Sequence, residues 1–110
     1  MEKNSGRTVV VYPTIFTVTN DCVLAEVPDL EILTEGKDIP DAMMMARDAI
    51  GLKIVSMEDD GDPVKTPSEL DEIEMNTGTF AGEGKSFLSY VDVDISAYRR
   101  KLENQSFAEK

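Results

Sequence analysis

The stretch EVPDLEILTEGKDIPDAMMMARDAI, Glu26 to Ile50, decides the fold, because it holds a strand exit, a short strand and a long helix pattern in succession. Pro28-Asp29 bends the chain, since proline fixes φ and has no N–H with which to continue a ladder. Ile32 to Thr34 reads as a short third strand, closed by Gly36-Lys37. Asp38 is a good N-cap, Pro40 is tolerated in a first turn, and Asp41 stands three residues after Asp38, the spacing of a capping box. A helix is expected over Ile39–Met57. Ala42, Ala46 and Ala49 form one stripe, flanked by Ile39, Met43, Ile50 and Ile54. Small residues there let the helix axis approach a sheet closely. Arg47, Asp48, Gly51 and Met44 fall on the opposite face, and the other methionines read as core filler.

Upstream, TVVVYPTIFTVT (Thr8–Thr19) is rich in β-branched and aromatic residues and predicts a long strand. Pro13 interrupts it and predicts a local irregularity, at an edge or a bulge. Asn20-Asp21 is a tight-turn pair, so Cys22–Val27 predicts the second strand of a hairpin. Met1–Arg7 reads as a loose terminus. Downstream, Glu58-Asp59-Asp60-Gly61-Asp62 ends the helix in an acidic loop, and Pro63–Pro67 is an extended linker. Ser68-Glu69-Leu70-Asp71 suits a capped helical turn, and Asn76–Gly84 is a glycine-containing loop. Ser86–Ile95 alternates Phe87, Ser89, Val91 and Val93 against Leu88, Tyr90, Asp92 and Asp94, which predicts a fourth strand. Ser96–Asn104 predicts a terminal helix. There is no internal repeat, and the order is β-β-β-α-β-α.

The chain has 110 residues, 41% of them hydrophobic, which suits one small domain. Acids outnumber bases 22 to 11, for a net charge of −11. Nucleic-acid surfaces need clustered Lys and Arg to displace counterions from phosphate, so direct nucleic-acid binding is disfavoured. An anionic membrane surface is disfavoured on the same ground. The balance favours solubility or a basic partner. The single Cys22 allows no intramolecular disulfide and sits in an apolar run. Histidine, the commonest activating base, is absent. MEKNSGRT lacks the apolar core of a signal peptide, so a cytoplasmic location is expected.

Two motifs fail on inspection. Gly84-Lys85-Ser86 invites a phosphate-loop reading, but Thr79 stands where the first glycine belongs and a strand follows where a helix must. Aligning Gly61 with the invariant glycine of a calcium loop puts Ser56 first and Pro67 last, so the bidentate Glu is missing. Asp21, Glu26, Asp29, Asp92 and Asp94 could in principle converge on Mg²⁺ for metal-dependent nuclease chemistry. Asp92 and Asp94, however, share the polar face of an alternating strand, where solvent-facing residues belong.

Tyr12-Pro13-Thr14-Ile15-Phe16, Val27-Pro28-Asp29-Leu30, Thr34-Glu35-Gly36, the helix Asp38–Ala49, Asp60-Gly61-Asp62-Pro63, Pro67-Ser68 and Val91–Tyr98 follow one another in an order that resembles the HicB-type antitoxins of bacterial toxin–antitoxin pairs. The resemblance covers about Val10 to Arg100. It implies an α+β, partial ribonuclease-H-like module, with an antiparallel β-β-β-α-β sheet, one main packing helix and a short C-terminal helix. Residues 1–97 would form that domain and 98–110 a helical tail. It implies a binding protein and not an enzyme, without cofactor or metal, whose partner is a small basic mRNA-cleaving ribonuclease of the HicA type. There are departures. Glu31-Ile32-Leu33 stands where the family has Pro-Gly-Cys-Phe. The sequence ends at Lys110, about where the DNA-binding domain that many members carry would be expected to begin, and Tyr98–Lys101 (YRRK) is too short a basic cluster for such a fold, so specific operator binding by these residues is not expected. A regulator of the same fold that binds protein or ligand without a toxin partner is the alternative.

Charge placement singles out Glu26, Asp29, Glu31 and Glu35 near the second and third strands, and Asp59, Asp60 and Asp62 after the helix, as the partner-binding residues. Open strand edges predict a homodimer or higher oligomer. Phe80, Phe87 and Tyr90 are candidate contacts, with core packing as their competing role.

Overall fold

The computed structural model describes residues 8–108; the expected loose terminus, 1–7, lies outside the described residues. Strands β1 (Val9–Val18), β2 (Val23–Val27) and β3 (Ile32–Gly36) precede helix α1 (Ile39–Asp60). Strand β4 (Lys85–Asp94) runs directly into helix α2 (Ile95–Ala108). The sheet order is β3-β2-β1-β4, and every neighbouring pair is antiparallel.

One face of the sheet carries α1. Tyr12, Phe16, Val23, Ala25, Val27, Ile32, Val91 and Val93 meet Ala42, Ala46, Ile50, Ile54 and Val55 there, and Phe87 stacks on Phe16 with ring centroids 5.2 Å apart. The other face is covered too, by the segment between α1 and β4. For this reason Tyr12–Thr17 is buried at every position and not at alternate ones. A run buried at every position, with Thr14 and Thr17 as its only polar members, is the signature of a strand sandwiched on both faces.

The irregularity expected at Pro13 does not occur; β1 runs through it. The Ile95 N–H donates to the Thr8 carbonyl at 3.1 Å, and the Thr19 N–H to the Cys22 carbonyl at 2.9 Å. Antiparallel bonding alternates along a strand, so the odd-numbered residues of β1 face β2 and the even-numbered ones face β4. Pro13 therefore directs its missing N–H toward β2, whose pairing with β1 has already ended at Ile15↔Glu26. No ladder bond is lost there.

Helix α1 starts as its sequence signals, with the Asp38 carboxylate accepting from the Asp41 N–H at 2.9 Å. The reach-back differs: Asp41 accepts from the Lys37 N–H at 2.8 Å, one residue before the cap. The helix outruns its expected end by three residues, to Asp60. Gly61, with φ 76°, then closes it: the Gly61 N–H donates to the Glu58 carbonyl and the Asp62 N–H to the Met57 carbonyl, a Schellman motif. Glu58, Asp59 and Asp60 oppose the negative end of the helix dipole. Arg99 of α2 offsets them, with bonds of 2.9 Å to both Glu58 and Asp59.

Three face assignments change. Gly51 is buried, not solvent-facing, because the Tyr98 ring lies on it; a Cβ at that position would come within 2.8 Å of the ring. Ile39 and Met45 are exposed, since the first turn and one side of α1 overhang the sheet. Met44 is exposed as expected, at 63%. Helix α2 begins at Ile95, and Tyr98 and Leu102 pack against the core.

Candidate partner-binding surface

Pro28–Leu30 forms one 3-10 turn, and the residue that ends it is Glu31, at φ 56° and ψ 44°. This left-handed conformation is costly for any residue with a Cβ. The turn points Asp29 inward. Its side chain is only 1% exposed and accepts from Lys65 Nζ at 2.8 Å, the Ser68 N–H at 2.7 Å and the Ser68 hydroxyl at 2.8 Å. Burial pushes the Asp29 carboxyl up. The Lys65 and Ser68 hydrogen bonds and the Lys65 charge outweigh it and hold the group below the usual carboxylate range. The nearby Tyr12 hydroxyl donates to the Lys65 carbonyl at 2.6 Å, and burial, with the Asp29 charge, raises its pKa.

Asp29 thus fastens the segment that leaves α1 as it turns onto the outer face of the sheet. Two further fastenings hold it there. Glu26 on β2 accepts from the Thr79 N–H at 2.8 Å and the Thr79 hydroxyl at 2.9 Å. The Tyr90 hydroxyl on β4 accepts from the Leu70 N–H and donates to Glu69. The helical turn expected from Ser68 starts later: Glu69 is the cap of a 3-10 turn at Leu70–Glu72, in a capping box with Glu72, because Ser68 is engaged by Asp29.

The segment leaves two hollows on the outer face. One, of about 270 Å³, is lined by Glu26, Asp29, Glu72, Glu74 and Lys65 among others. The second, of about 280 Å³, lies between Glu26, Glu31, Leu33 and Thr79. Glu26, Asp29 and Glu31 are therefore brought together, and Glu35 is exposed further along β3. Asp59, Asp60 and Asp62 line neither hollow, and Asp59 is paired with Arg99. Glu72 and Glu74 were missed from the sequence. The acidic run Glu69, Asp71, Glu72, Glu74 is visible there, but only tertiary structure lays it over β2.

The surface is anionic, and its exposed carboxylates suit guanidinium and ammonium groups. Among the described residues no group of three His, Cys, Asp or Glu side chains is placed to hold a metal ion. Asp92 is instead paired with Arg47 at 2.9 Å, whose hydrogen bond holds its pKa down. In the YRRK cluster, Arg99 is engaged as described and Lys101 lies 3.6 Å from Asp48. No described helix is long and apolar enough to cross a membrane.

Two solved structures contain chains with this fold. A chain of a toxin–antitoxin complex from Streptococcus pneumoniae superposes with a TM-score of 0.72 at 22% identity, over 82% of this chain and 72% of that one. A chain of the HicA3 and HicB3 toxin–antitoxin complex gives 0.61 at 21% identity, over 77% of this chain and 99% of that one. No protein-family model matches the sequence. No curated protein matches it either. The molecule is an α+β chain with a four-stranded antiparallel sheet, of a fold found in toxin–antitoxin complexes.

Proposed function

We propose that this chain is a HicB-type antitoxin: a cytoplasmic, non-enzymatic protein of partial ribonuclease-H-like fold that binds and neutralises a small basic HicA-type ribonuclease, without cofactor or metal. The observation that carries this reading is the anionic outer face on a fold shared with chains of toxin–antitoxin complexes. A toxin that cleaves mRNA needs cationic groups against phosphate. A chain with net charge −11 and no histidine suits the protein that covers such a surface better than the ribonuclease itself.

The contact set is Glu31, Glu35, Glu72 and Glu74, with Glu26 at the floor between the hollows. Asp29 and Asp59 hold the fold. Asp60 and Asp62 add to the field that steers a basic partner, which speeds association and weakens as salt rises. The protein acts as a homodimer or higher oligomer. The test is a search for a small basic open reading frame beside its gene and co-expression of the two. That frame alone arrests growth, and this chain restores it. Failure of the wild-type chain to rescue overturns the proposal. Rescue that survives reversal of charge at Glu31, Glu35, Glu72 and Glu74 overturns the choice of surface.

A further inference from the structure

Strand β4 is an edge strand, and its free side sorts by parity. Odd-numbered residues bond to β1, so Ser86, Leu88, Tyr90, Asp92 and Asp94 direct their backbone N–H and C=O groups outward. Side chains occupy two of the outward carbonyls. Arg47 Nε donates to that of Asp92 at 2.8 Å, and the Ser89 hydroxyl donates to that of Tyr90 at 3.0 Å. The outward groups of Ser86 and Leu88 and the N–H of Tyr90 have no partner among the described residues. Natural edge strands are commonly guarded by charged side chains or proline. Ser86–Val91 contains neither, in a chain that is 30% charged. The charges stand at the strand's two ends, Lys85 at one and Asp92 and Asp94 at the other.

We infer that β4 pairs antiparallel with β4 of a second copy about a two-fold axis at Leu88, joining the two sheets edge to edge. The register follows from the open groups. Leu88 bonds to Leu88 of the second copy, and Ser86 to Tyr90, with only the Ser89 hydroxyl displaced. An axis two residues further on would require Arg47 to release Asp92. The occupant is a second copy because the strand complements itself. Antiparallel pairing brings the Lys85 end of each copy beside the Asp92 end of the other, which offsets part of the repulsion between two acidic chains. Lys85 has no ion-pair partner among the described residues.

Sedimentation equilibrium of the full chain gives twice the 12.2 kDa monomer mass if this is right. Leu88→Lys sets like charges opposite each other and weakens the dimer by about tenfold or more, with far-UV circular dichroism unchanged. The register is read separately, in a Cys22→Ser background. A hydrogen-bonded antiparallel pair holds its Cα atoms about 5.5 Å apart, within disulfide reach. Leu88→Cys therefore cross-links two copies on mild oxidation. Ser86→Cys alone does not, but Ser86→Cys mixed with Tyr90→Cys does. A monomeric wild type, a Leu88→Lys variant that dimerises undiminished, or a dimer that fails to cross-link through Leu88→Cys overturns the inference. None of these readouts depends on toxin inhibition.

Discussion

Replacing Asp29 with Ala removes the carboxylate that ties the segment leaving α1 to the sheet. Three hydrogen bonds are lost, two to Ser68 and one to Lys65. Hydrogen bonds to a charged group are each worth roughly 1.5–3 kcal/mol. The Lys65 side chain is 60% exposed, so solvent screening reduces its share to about 0–1 kcal/mol. The Ser68 donors recover part of their loss from water once the segment lifts. The expected destabilisation is about 2–4 kcal/mol for Asp29→Ala, against no more than about 1 kcal/mol for Lys65→Ala. Urea unfolding measures both, and hydrogen exchange at residues 64–70 reports whether the segment has lifted. The acid dependence follows from the sign of the shift. Asp29 is depressed in the folded state, so its stabilisation is present above the unfolded value near 3.9 and is lost as pH falls through the lower folded value. Wild type should lose stability over that acid range more steeply than Asp29→Ala. An Asp29→Ala variant within about 0.5 kcal/mol of wild type, with unchanged exchange at residues 64–70, would refute the fastening role.

Glu31→Gly relieves the left-handed backbone, and after the added chain entropy of glycine it should stabilise the protein by about 0.5–1 kcal/mol in the same unfolding assay. Gly51→Ala drives a Cβ into the Tyr98 ring; overpacking of about 1–3 kcal/mol should outweigh the roughly 1 kcal/mol gained in helix propensity, giving a lower urea midpoint and an altered tyrosine near-UV signal. The Tyr98 phenol is pushed up to about 12 by burial, by its hydrogen bond to Asp48 and by the Asp48 charge. Asp48→Asn removes that charge and leaves the burial, so spectrophotometric titration should find a pKa lower than in wild type but still above 10.0.

The elements with a period were legible in the sequence. The Ala42–Ala46 stripe of α1 and the Val91–Val93 alternation of β4 bury one face in a repeating pattern, and β1 was legible from its β-branched and aromatic run; each element formed where expected. The segment between α1 and β4 has no period, so its path over the outer face could not be read. Its course is set by single bonds between residues far apart in sequence, 36 and 39 residues from Asp29 and 53 from Glu26. Asp29 and Glu26 stood out by charge and position, but charge alone does not tell a fastening from an open contact. Gly51 was misplaced because the helix wheel knows only the sheet, whereas α2 packs against a second side of α1.

The central claim is inhibition of a basic ribonuclease by an anionic face. The direct measurement is mRNA cleavage by the proposed partner, a small basic ribonuclease encoded beside this gene, titrated with this chain across a salt series. Cleavage should fall to background near one chain per ribonuclease at low salt, with association slowing as salt rises. Reversing the charges of Glu31, Glu35, Glu72 and Glu74 together should leave the RNA cut at that ratio, with the fold intact. Full cleavage with equimolar wild-type chain at low salt would contradict the antitoxin reading outright.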